Sequence, residues 1–216
     1  VGKLIAIDGP AGAGKSTIAA ALARRLGMAR LDTGAMYRAV TLLVLENGAD
    51  PGDEVEAARL AKSMHLTMGD DVALNGRDVT VAIRRPEVDA AVSTVAAHPA
   101  VRAELVRRQR IWAAEHGGGV VEGRDIGTVV FPEADLKVYL TADPDERARR
   151  RDRQRALADE KTTPGSLSAV TSGLEQRDAR DAGRPVSPLL AASDAMVLDS
   201  THLSVDDVLR EVLARL

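Results

Sequence analysis

Short apolar runs alternate along the chain with longer stretches whose apolar residues recur every three to four positions. Residues 3–8 (K-L-I-A-I-D) predict a buried strand, and residues 16–26 (S-T-I-A-A-A-L-A-R-R-L) predict a helix ended by Gly27. Helical periodicity returns over residues 35–46 and stops at Asn47-Gly48. A further helix is expected over residues 53–65, with Asp53 as its N-cap. The period then changes. Residues 66–80 alternate and contain Asn75-Gly76, a dipeptide suited to the two positive φ angles of a tight hairpin turn.

Helical patterns resume over residues 86–97 and 100–115 and break at Gly117-Gly118-Gly119. Strands are predicted at residues 120–122, 136–141 and 196–198. Between the last two lie a charged helix at about residues 144–160, capped by Asp143, and a second helix near residues 166–181. Thr162-Thr163-Pro164-Gly165 separates them. A final helix begins at Ser204, with Asp207 three residues on as the other half of a cap. Strands alternating with helices imply an α/β fold built on a doubly wound parallel sheet. The hairpin stands outside that alternation and is expected to be an insertion.

Composition narrows the function. There is no cysteine, which excludes disulfides and thiolate metal sites. We find no run of about 18 apolar residues and no signal-peptide pattern, so a cytoplasmic protein without a membrane partner is expected. A net charge of −3 gives no global attraction to nucleic acid. Tyr37, Trp112, Phe131 and Tyr139 are the only aromatics, too few to stack successive bases. Of 29 basic residues, 24 are arginine, whose planar fork suits phosphate.

The chemistry begins at Gly9-Pro10-Ala11-Gly12-Ala13-Gly14-Lys15-Ser16, which fills every fixed position of G-x-x-x-x-G-K-[ST] between a strand and a helix. Such a loop turns successive N–H groups toward phosphate, and the positive end of the following helix adds to them. Gly9 through Ser16, with Thr17, are therefore the expected nucleotide-triphosphate site. Lys15 reaches the β- and γ-phosphates and the Ser16 hydroxyl ligates Mg²⁺.

Asp32-Thr33-Gly34-Ala35-Met36-Tyr37-Arg38 groups a helix start, an aromatic and an arginine, a plausible grip on a second phosphate. Glu122-Gly123-Arg124-Asp125 follows a strand, where ligands of parallel sheets collect. Six arginines fall between Arg147 and Arg155. Arg147, Arg150 and Arg151 share one helical face, with only Asp145, Glu146 and Asp152 offsetting them locally. In an open state these arginines are expected to be hydrated and mutually repelled. Charges also interleave from Arg177 to Arg184, as local ion pairs or as a phosphate- and ribose-binding set. No conventional metal motif of an apolar run followed by aspartate is evident beyond Ser16.

Together, I-D-G-P-A-G-A-G-K-S-T, L-D-T-G-A-M-Y-R, S-T-V-A-A-H-P-A-V-R, R-R-Q-R, E-G-R-D-I-G-T-V-V-F-P, R-D-A-R-D and V-L-D-S-T resemble the bacterial cytidylate kinase family over nearly the whole chain. The resemblance implies a P-loop NTPase-type core with a helical lid and an inserted nucleoside-monophosphate (NMP) subdomain bearing a small antiparallel sheet. It implies one kinase domain over residues 1–216, with the NMP subdomain at about 33–116 and the lid at about 147–166. By position, Arg38, Arg124, Arg177 and Arg184 would surround the acceptor phosphate. Ser93, Arg102 and Asp125 would face cytosine, with Asp181 on the ribose and Thr33 and Tyr37 beside the acceptor. Lys15, Arg124, Arg147, Arg150, Arg151 and Arg184 would be catalytic. The implied activity moves the γ-phosphoryl group of ATP onto CMP or dCMP with Mg²⁺, in a monomer. The alternatives are another P-loop kinase of a monophosphate or small metabolite, or a nucleotide switch. A GTPase switch needs a base-recognition motif such as Asn-Lys-x-Asp, which is absent.

Overall fold

The computed structural model describes residues 2–158 and 167–216, with backbone alone for residues 154–158, 167 and 169. The Thr162–Gly165 segment and the far end of the expected lid lie outside the described residues. Two compact units emerge, one formed by residues 1–30 and 116–216 and the other by residues 31–115.

The first unit is built on parallel strands. β1 (Leu4–Asp8) pairs with β6 (Gly119–Glu122) on one side and β7 (Leu136–Thr141) on the other, and β7 pairs with β8 (Met196–Asp199). With β2 (Arg30–Asp32), inside which the division falls, the sheet order is β2-β6-β1-β7-β8. Neighbours in this sheet are remote in sequence, as parallel pairing demands. Ile5, Ile7, Val120, Val138 and Leu140 point into one core with Ile18 and Leu22 of α1 (Lys15–Leu26) and Val208 and Val212 of α8 (Val205–Leu213). Each such side chain contributes about 1.5–3 kcal/mol on full burial. α6 (Pro144–Ala158) and α7 (Leu167–Ala182) meet the phosphate loop through a smaller cluster of Ala11, Ala148, Val170 and Leu174.

The local signals behave as their chemistry requires. Gly27 closes α1 with φ 65°, and Asp53 accepts from the Glu56 N–H at the start of α3 (Glu54–Ser63). Ser204 and Asp207 form a reciprocal capping box on α8.

The second unit holds α2 (Thr33–Glu46), α3, α4 (Pro86–Val95) and α5 (Pro99–Glu115) with a small antiparallel sheet. The expected hairpin is in fact three strands, β3 (Leu66–Met68), β4 (Val72–Leu74) and β5 (Arg77–Asp78). Asn75 and Gly76, at φ 52° and 78°, turn β4 into β5 as foreseen. The extra strand arises because Leu66 pairs with Leu74, so the alternating run folds twice.

Candidate active site

Gly9 and Gly12 are dictated by crowding. A Cβ on Gly9, at φ 144°, would sit 2.0 Å from the Leu140 carbonyl oxygen, and one on Gly12, at φ 77°, 2.7 Å from that of Arg147. The loop is thus pressed between β7 and α6. Gly14 begins α1 with no side-chain cap and no acidic residue in the first turn, leaving N–H donors for an anion. Lys15 Nζ donates to the Pro10 carbonyl at 2.7 Å. The side chain keeps some exposed surface, but its ammonium end is enclosed. That burial, with Arg124 adding positive charge, pushes the Lys15 pKa down to about 7 against the pull of Glu122, Asp178 and Asp8.

Two carboxylates from neighbouring strands close the floor of the loop. Ser16 Oγ donates to Glu122 at 2.6 Å, and Arg30 lies 3.4 Å from the same carboxylate. Glu122 ends the apolar run Gly119-Val120-Val121 of β6, as Asp8 ends that of β1. Asp8 accepts from the N–H groups of Ile126 and Gly127 at 2.8 and 2.7 Å. They open a short π-helical turn over Ile126–Val130 that sequence periodicity did not signal. Burial raises Asp8 to about 6, opposed by those two donors and Lys15 and reinforced by the charge on Asp125.

Arginines gather over the loop on carboxylates of α7. Asp178 accepts from the Ala11 N–H at 3.0 Å and from Arg124 Nη1 at 3.1 Å, and pairs closely with Arg147. Arg124 Nη1 also donates to the Gly9 carbonyl at 3.0 Å, and Arg147 Nη1 to that of Ala11 at 3.1 Å. Asp181 bridges Arg124 Nε, at 3.3 Å, and Arg184. Arg150 donates to the Ser200 hydroxyl and carbonyl and to Glu146, and its Nη1 reaches the Ala13 carbonyl at 3.3 Å.

The expectation of hydrated, mutually repelled arginines on α6 is therefore corrected for Arg147 and Arg150. Their charge is offset by Asp178, Glu146 and oriented carbonyls, most of them remote in sequence. Arg151 and Arg177 are half-buried and also engaged by neighbours. Asp125 is buried at the entrance to the π-helical turn.

Ser200 ties this cluster to a cavity of about 560 Å³ at the ends of β7 and β8, lined by Thr141, Asp143, Asp199, Thr201 and His202 among others. Its hydroxyl donates within reach of the Ala13 and Thr141 carbonyls.

The second unit holds the remaining expected residues, of which Tyr37 and Arg102 meet. Arg38 joins α2 to Asp89 of α4 and donates to the Ile83 carbonyl. Arg102 of α5 lies 5.3 Å over the Tyr37 ring, a cation–π contact, and donates to the Ala96 carbonyl. Thr33 opens α2, and Ser93 lies one turn beyond Asp89; both are buried. Sequence reasoning gave no individual role to Asp8, Asp89, Glu122, Asp178 or Ser200. Asp8 and Glu122 carried a readable signal as the polar ends of buried strands, and Asp178 stood within the charge-interleaved stretch, while Asp89 and Ser200 carried none.

Among the described residues, no group of three or more His, Asp or Glu side chains is placed to cage a metal. Nor is any described helix long and apolar enough to cross a membrane.

The family model described as cytidylate kinase matches residues 5–216. A cytidylate kinase of Solibacter usitatus (strain Ellin6076) is 49% identical over 211 residues, covering 97% of this chain and 90% of that protein. One from Limosilactobacillus reuteri (strain DSM 20016) is 46% identical over 216 residues, covering 98% and 93%. The crystal structure of an uncharacterized protein from Eubacterium ventriosum ATCC 27560 shares the fold at a TM-score of 0.52 and 12% identity, covering 99% of this chain and 97% of that one. With a complete phosphate loop, an arginine cluster on its rim and a family match over almost its entire length, the chain belongs to the cytidylate kinase family.

Proposed function

We propose that this protein transfers the γ-phosphoryl group of ATP to CMP or dCMP, yielding ADP and CDP or dCDP. The reading is carried by the gathering of Lys15, Arg124 and Arg147 on one phosphate loop in a chain of this family. An acceptor phosphate oxygen forms the new bond to the γ-phosphorus as the bond to the β-phosphate oxygen breaks. The acceptor is already ionised, so charge neutralisation rather than a strong base is the requirement.

In this reading residues 9–17 cradle the triphosphate and Lys15 bridges its β- and γ-groups. The cavity beside Ser200 is of the size that takes a nucleobase and receives adenine. Arg147, Arg150 and Arg151 act at the base of the lid. Arg38, Arg124, Arg177 and Arg184 hold the acceptor phosphate. Ser93, Arg102 and Asp125 select cytosine, with Thr33 and Tyr37 beside the acceptor and Asp181 on the ribose. The hard oxygen donors Ser16 and Glu122, already 2.6 Å apart, fit Mg²⁺. Bound there with the phosphates, the ion would neutralise charge on the β- and γ-oxygens. The protein works as a cytoplasmic monomer, with small molecules as its partners.

A coupled ADP-release assay with ATP and a panel of monophosphates tests the reading. CMP and dCMP should drive turnover far above UMP, AMP and GMP. Equal ADP release with and without every acceptor would defeat it.

A further inference from the structure

The carboxylate of Asp178 accepts from three donors on three separate elements: the Ala11 N–H of the loop, Arg124 after β6 and Arg147 of α6. A loop N–H flanked by two guanidinium groups is the donor set a phosphoryl oxygen seeks.

The arginines do not depend on Asp178 alone for their place. Each Nη1 carries two protons. One from Arg124 goes to the Gly9 carbonyl and one from Arg147 to the Ala11 carbonyl. The second proton of each goes to Asp178. Exchange of the carboxylate for a phosphate oxygen therefore leaves both arginines fastened to the loop and demands movement of one side chain only.

We infer that Asp178 is a positioning residue that keeps Arg124, Arg147 and the Ala11 amide oriented toward an anion and competes with the triphosphate for those three donors. The inference rests on the phosphoryl-transfer reading above. Its functional consequence is release. A carboxylate waiting beside the site returns to the arginines as the product nucleotide leaves, which weakens binding and speeds turnover.

The test is calorimetric titration with a non-hydrolysable ATP analogue and Mg²⁺, alongside steady-state kinetics. Asp178→Asn keeps the shape of the side chain without its charge, and Asp178→Ser withdraws it altogether. Both should bind the analogue about tenfold more tightly than the parent protein, since hydrogen bonds to a charged group are being contested. Both should turn over more slowly at saturation as product is retained. Glu211→Gln removes an exposed carboxylate of α8, and should change affinity less than twofold. Unchanged or weaker binding in both Asp178 variants overturns the inference, as does failure of both to fold. A gain as large in Glu211→Gln also overturns it, because net charge alone would then explain the effect. If the parent protein itself does not bind the analogue, the phosphoryl-transfer reading fails instead.

Discussion

Enclosure strips the Lys15 ammonium of hydration and Arg124 repels it, so the group titrates at about 7 rather than at its ordinary 10.5. Between those values the native protein binds fewer protons than the unfolded chain, so this group's contribution to stability rises as pH climbs through that window. At neutral pH the charge is a burden. Lys15→Met should therefore lose transfer and yet melt a few degrees higher at pH 7, about 2–4 °C for each kcal/mol relieved. The gap should narrow toward pH 9 in scanning calorimetry. Triphosphate restores the missing anionic partner and draws the pKa back up. Nucleotide binding at pH 8 should accordingly take up a proton, seen as a dependence of titration heat on the ionisation enthalpy of the buffer. Identical heats in phosphate and Tris would contradict this.

Among the elements, α8 shows how much local chemistry decides. Its box satisfies the Asp207 N–H from Ser204 Oγ and the Ser204 N–H from the Asp207 carboxylate. Ser204→Ala should cost about 1 kcal/mol, lowering the melting temperature by roughly 2–4 °C while leaving kcat unchanged. Such caps were legible in the sequence because donor and acceptor lie within three residues. For the same reason the phosphate loop, the Asn75-Gly76 turn and the ends of α1 were legible. β2 was not, because Arg30-Leu31-Asp32 is too short to display a period. The π-helical turn after Asp125 was missed because the carboxylate that starts it, Asp8, lies on the first strand. Likewise α6 looked like a surface of like charges until Asp178 on α7 was placed against Arg147. Arginine spacing is visible in one segment; its counter-charge belongs to another.

Across the whole molecule, residues 31–115 interrupt the unit that holds the phosphate loop. β1 finds its partners only at Gly119 and Leu136, so its pairing waits on closure of a long stretch of chain. The contacts of the interrupting unit are nearer in sequence. In pulsed hydrogen exchange during refolding, amides of α2–α5 should gain protection before those of β1 and β6. Simultaneous protection would show that the two form together. The order has a bearing on biosynthesis. The ribosome delivers Gly9–Ser16 ahead of residues 31–115, yet Leu140 and Arg147, against which Gly9 and Gly12 are packed, emerge much later. Glu122, Arg124 and Asp178 also follow residues 31–115. A nascent chain stalled partway thus carries the loop's residues without the walls that shape them. It is a polypeptide unable to squander ATP before the enzyme around it is finished.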